Sequence, residues 1–181
     1  MTAPITFLQH LAPTAKFRAR YQERRSEPKP IPWTNATPFK AAADAWCHMD
    51  IRRGDIVAWP TNIGWMMGPW LMYASLLNGA SMALYNGSPL SSGFAMFDAK
   101  VTMLGVVPSI VRTWKSTNCI AGSDWSSIRC SSCFSSTGEA SNADEYLWLM
   151  GRAYYKHVIE YCGGTEIGGG FVYGSFLQPN H

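Results

Sequence analysis

The run YCGGTEIGGG (residues 161–170) sets Thr165 and Glu166 in backbone where five of ten residues are glycine. Glycine admits unusual backbone angles and lets a ligand approach the main chain closely. A carboxylate in such a loop can hold a hard cation, and a neighbouring hydroxyl can donate to a phosphate oxygen. The same composition also describes a plain turn, so the elements that position it must decide. A second small-residue loop, SSTGEAS (residues 135–141), carries Thr137, Gly138, Glu139 and Ala140.

Other chemistry-bearing residues lead less far. Cys130 and Cys133 form a C-x-x-C, but no second pair supplies further zinc ligands, and Cys130 falls at the end of an expected strand rather than opening a helix. With Cys47, Cys119 and Cys162 they make an odd, scattered set that suits a reducing compartment. The net charge of +3 is concentrated near the start, where Lys16, Arg18, Arg20, Arg24, Arg25 and Lys29 face only Glu23 and Glu27. No basic patch with interleaved aromatics follows, so nucleic acid is not an expected partner. Residues 1–30 read as a poorly ordered basic leader and residues 31–181 as the folded unit.

Charged residues are 15% of the chain against 47% hydrophobic, so most of it must be buried. Residues 56–97 hold no charge, yet prolines, asparagines and glycines interrupt them. A membrane-spanning helix needs about 20 predominantly apolar residues, and the clean piece at 70–77 reads as a buried helix.

Short apolar runs alternate with helical segments. Strands are expected at 56–59, 81–85, 101–107, 128–134 and 158–161, and helices at 69–77 and 108–114. A further helix begins after Asn142, where Asn142 and Glu145 fit a capping box, and Leu147, Met150 and Tyr154 recur at helical spacing. The alternation implies an α/β fold, a mostly parallel sheet covered by helices on both faces. Ligands collect at the carboxyl ends of such strands, which is where both glycine-containing loops fall.

Taken in order, GDIVAWPTNIGWMMGPW, VTMLGVVPSIVRTW, SSTGEASNADEYLWLM and IEYCGGTEIGG resemble the adenylate-forming superfamily. Within it the chain is most similar to plant acyl-activating enzymes related to acetyl-CoA synthetase, which are usually peroxisomal. The resemblance covers residues 31–179. It implies ATP-dependent activation of a carboxylic acid to an acyl-adenylate, then transfer to CoA. Thr165 would bind the α-phosphate and Glu166 would hold Mg²⁺. Gly138, Glu139 and Ala140 would frame the adenine of ATP or AMP, with Glu160, Tyr161, Cys162, Gly163 and Gly164 as the opposite wall. Trp65, Met66, Met67, Thr137 and Gly163 would line the acid pocket, and glycine at 163 would leave room for a longer or ring-bearing acid.

Departures from the family pattern matter as much. Its phosphate-binding loop is rich in Ser, Thr and Gly and ends in Gly-x-Pro-Lys. Here the chain reads ARYQERRSEPKPIPW, keeping only Glu27, Pro28 and Lys29, with Ser26 in place of the glycine. The segment before Val101 reads as shortened, and residues 130–135 as locally duplicated. The family's ribose-binding Asp, its lysine-bearing C-terminal domain and a Ser-Lys-Leu-type peroxisomal end are not found before Asn180-His181. The expectation is an internal fragment of the large domain, either part of a ligase or a non-catalytic remnant that binds adenine nucleotide. A dinucleotide fold is discounted, because its G-x-G-x-x-G must follow the first strand.

Overall fold

The computed structural model describes residues 15–18, 30–91, 94, 99–128 and 134–175. Cys130, Cys133, the phosphate-loop remnant at 26–29 and most of the segment before Val101 lie outside them. Two short strands, β1 (Ala15–Arg18) and β2 (Pro30–Trp33), pair antiparallel, so part of the stretch read as a leader is strand. α1 (Thr37–His48) follows, then β3 (Ile56–Ala58), α2 (Met67–Leu76), β4 (Ser81–Ala83) and β5 (Met103–Val106). The chain continues through α3 (Pro108–Thr117), β6 (Phe134–Ser136), α4 (Ala143–Arg152), β7 (Val158–Gly164) and β8 (Gly169–Tyr173).

The main sheet has the order β4-β3-β5-β6-β7-β8. Its first five strands are parallel, and β8 returns antiparallel along β7. Alternate strand residues point to opposite faces, and the packing follows. Val57 and Met103 join one core with Ala41, Ala45, Trp70 and Ala74 of α1 and α2. Ala58 and Leu104 join the other with Val111, Trp114 and Leu149 of α3 and α4. The fold is therefore α/β, with helices on both faces of a mostly parallel sheet.

Asn142 caps α4, its side-chain oxygen accepting from the Asp144 and Glu145 amides at 2.9 and 3.3 Å. The expected second half of the capping box gives way to another partner. Glu145 turns inward, and its Oε1 accepts from Arg112 Nε of α3 at 2.6 Å. Glu145 therefore lies on the buried face with Leu149, which corrects the face read from spacing. Leu149 and Ala153 are buried, while Leu147 is 57% and Tyr154 80% exposed. Residues 146–150 are all apolar, so periodicity alone could not choose between faces. A second correction concerns the strand expected at 128–134: Ile128 is buried in a turn, and of that stretch only Ile128 and Phe134 are among the described residues, Phe134 lying in β6.

Candidate functional site

The loops at the carboxyl ends of four adjacent strands converge on one cavity of about 380 Å³. Trp59, Pro60 and Thr61 enter from the end of β3 and Val107 from that of β5. Thr137, Gly138 and Glu139 come from β6, and Gly163, Gly164 and Thr165 from β7. Trp65, Met66 and Met67, at the start of α2, complete the lining. The parallel strands all point their carboxyl ends the same way, so the residues that follow β3, β5 and β6 and the end of β7 face a common space.

The β6 loop is fixed at both ends. Thr137 Oγ1 donates to the Tyr161 carbonyl of β7 at 2.5 Å. Gly138 follows with φ +90°, a left-handed conformation that side chains rarely adopt. Glu139 then reaches α3: its carboxylate oxygens accept from Ser109 N at 2.9 Å and Ser109 Oγ at 2.8 Å. Val107 at the N-cap offers no side-chain cap of its own. A carboxylate at a helix N-terminus satisfies exposed amides and complements the dipole. Glu139 therefore ties the loop to α3.

The β7–β8 connection carries Thr165 and Glu166. Gly168, at φ +62°, closes it, its amide donating to the Gly164 carbonyl at 3.1 Å and the Thr165 carbonyl at 3.2 Å. Trp33 Nε1 donates to the Thr165 carbonyl at 2.6 Å from the opposite end of the chain. Thr165 is half-buried in the cavity wall, whereas Glu166 is exposed at the tip. A Cβ placed on Gly164 would lie 3.4 Å from Glu166 Oε2, so the carboxylate stands beside the glycine that lines the cavity.

Nine of the residues expected at the site thus share one cavity: Trp65, Met66, Met67, Thr137, Gly138, Glu139, Gly163, Gly164 and Thr165. Others lie elsewhere. The Tyr161 side chain is not a wall, because its ring is buried against Trp70 and Tyr173 and its hydroxyl donates to Asp44 Oδ2 at 3.2 Å. Burial, and after it the charge of Asp44, pushes the Tyr161 phenol well above its ordinary pKa. Cys162 is exposed on β7 beside Val172 of β8, outside the cavity lining. Glu160 lies near Tyr146, whose phenol is raised chiefly by burial, and Ala140 is exposed beyond the lining. Trp59, Pro60, Thr61 and Val107 also line the cavity; they fall within the matched segments but were not singled out as site residues. Their position at strand ends was the available signal.

Among the described residues no group of three His, Cys, Asp or Glu side chains could hold a metal by itself. The single carboxylate of Glu166 fits Mg²⁺ in one way. That ion takes one or two carboxylates, with water and substrate phosphates supplying the rest. No helix among the described residues is long and apolar enough to cross a membrane.

A parallel sheet whose carboxyl-end loops enclose a cavity, with a hydroxyl and a carboxylate on the last turn, matches a known class. The chain belongs to the AMP-binding enzyme family, whose model matches residues 26–181. It is 79% identical over 154 residues to the hexanoyl-CoA synthase of Cannabis sativa, a match covering 84% of this chain and 21% of that protein. With the probable acyl-activating enzyme 17, peroxisomal, of Arabidopsis thaliana it shares 72% identity over 155 residues, covering 84% and 21%. The chain spans about a fifth of the length of these relatives. The acetoacetyl-CoA synthetase from Streptomyces lividans shares the fold, with TM-score 0.71 at 23% identity over 83% of this chain and 24% of that one.

Proposed function

We propose that residues 31–181 form the nucleotide- and acid-binding part of an ATP-dependent acyl-CoA ligase. The enzyme converts a carboxylic acid and ATP to an acyl-adenylate and pyrophosphate, and CoA thiol then displaces AMP. One observation carries this reading: a single cavity joins the apolar start of α2 to the two small-residue loops of β6 and β7. An acid held by the first and a nucleotide held by the second would have their reacting atoms side by side.

The substrate carboxylate is itself the nucleophile, so the protein's task is positioning and charge neutralisation. The Thr165 hydroxyl donates to an α-phosphate oxygen, and the backbone of 138–140 together with 163–164 frames the adenine. Glu166 would hold Mg²⁺, which neutralises phosphate charge when bound. Trp59, Trp65, Met66, Met67 and Val107 give the acid end an uncharged wall. Methionines adapt to flexible apolar ligands, and the hexanoyl name of one relative supports an acid with an aliphatic chain. The names of the Arabidopsis relatives support a peroxisomal setting.

The test is equilibrium binding of ATP to the 181-residue chain with and without Mg²⁺. Mg²⁺ is expected to tighten binding, and Glu166→Gln to remove most of that gain while leaving Mg²⁺-free binding in place. A chain that binds no adenine nucleotide, or a Glu166→Gln variant with the full Mg²⁺ gain, overturns the assignment.

A further inference from the structure

Two contacts hold the Thr165–Glu166 turn from outside the cavity, and both come from the segment before β3. Trp33 closes β2 and is only 5% exposed. Its indole N–H meets the Thr165 carbonyl at 2.6 Å, across 132 residues of sequence. On α1, Asp44 is 4% exposed, and its Oδ2 accepts from the Gly170 amide of β8 at 3.3 Å and from Tyr161 OH of β7 at 3.2 Å. Lys40, one turn earlier, pairs with the other carboxylate oxygen and also reaches the Tyr173 hydroxyl. The turn sits directly on this platform: a Cβ on Gly168 would lie 2.5 Å from Thr37 Cγ2 and 3.4 Å from Trp33 Cε2.

We propose that Trp33 and Asp44 are positioning residues for the Thr165–Glu166 turn. This rests on the ligase reading above for what the turn does, but not for how it is held. A turn built around Gly164, Gly168 and Gly169 has little local stiffness, because glycine restricts its backbone least. Engaging the Thr165 carbonyl from the α1 side restrains the peptide that follows Thr165, and with it the relation between the residue in the cavity wall and the carboxylate at the tip. Asp44 anchors the returning strand through a backbone amide, which fixes where the turn ends. Neither residue lines the cavity. Each acts on a ligand only through the turn.

Trp33→Phe keeps an aromatic ring and removes the N–H donor. Asp44→Asn leaves one acceptor oxygen to serve Lys40, Tyr161 and Gly170, and provides a second variant should Trp33→Phe fail to fold. Amide hydrogen exchange on the 181-residue chain is the direct readout. In Trp33→Phe, exchange at 165–168 should quicken about tenfold, while the amides of β3, β5 and β6 keep their protection. Asp44→Asn should show its increase at 169–170. Unchanged exchange at these positions, or an equal increase across the sheet, overturns the proposal.

A second readout separates positioning from plain support. Trp33→Phe should weaken the Mg²⁺-dependent gain in ATP affinity more than the Mg²⁺-free affinity. Equal weakening of both, or no weakening, removes the positioning role even if the turn loosens. If the unmodified chain binds no nucleotide, the ligase reading falls, and the anchoring is judged by the exchange data alone.

Discussion

A Cβ attached to Gly163 would sit 2.2 Å from the Gly169 carbonyl oxygen and 2.8 Å from Gly170 Cα. Both are backbone atoms of the paired strand and cannot swing aside. Glycine at 163 therefore answers first to the β7–β8 pairing, at the point where the register shifts between Cys162 and Gly163, and the space it leaves in the cavity follows from that. Gly163→Ala should lower stability by about 2–3 kcal/mol, measured by urea unfolding, and loosen β8 before it narrows the cavity. Equal stability of the variant would restore pocket volume as the reason for this glycine. Glu139 teaches the same lesson from the other side. The family resemblance marked it as a ligand-framing residue, yet its carboxylate is bound to Ser109.

At the scale of elements, the segments with chemical punctuation were legible. Pro108 opens α3, and Asn142 caps α4 with Asp144 and Glu145 in its first turn. Removing the cap by Asn142→Ala should cost about 1 kcal/mol, seen as a lower thermal midpoint with the cavity unchanged, while Asn142→Asp should be nearly neutral. An alanine variant as stable as the parent would show that the tertiary packing of α4, and not its cap, seats the helix. Other elements were not legible. α1 carries Pro38 in its first turn, but Ala36 at its N-cap makes no side-chain bond, and β8 is hidden in a glycine run that also reads as a ligand loop. Both are defined by what they pack on, α1 through Asp44 and β8 through its pairing with β7. The rotation of α4 belongs with them, since five consecutive apolar residues leave the inward face to be chosen by tertiary packing, which buries Leu149 and Ala153.

For the molecule as a whole, the tyrosines on the α1 face of the sheet link folding to pH. Tyr161 and Tyr173 both have pKa values raised above the ordinary phenol range, by burial first and Asp44 next. Above about pH 10 the unfolded chain releases these protons while the folded chain retains them. The folded state then binds more protons, so stability is fully present below pH 10 and falls as pH rises beyond it. Unfolding followed from pH 8 to 11.5 should show a declining midpoint in the upper half of that range, and Tyr161→Phe should flatten the decline. An unchanged slope in that variant would place the alkaline sensitivity elsewhere. The alternation of apolar strands and helices was enough to define the class of fold, and the resemblance carried by the four motifs named nine of the residues that share the cavity. Both rest on local signals, the residue types in each segment and their order along the chain. What the tertiary structure alone decided is which groups remain free to act. Tyr161 is committed to the core, Glu139 to a helix end, and Trp33 reaches across 132 residues to Thr165. Such commitments depend on distance in space between segments far apart in the chain, and local composition does not encode them.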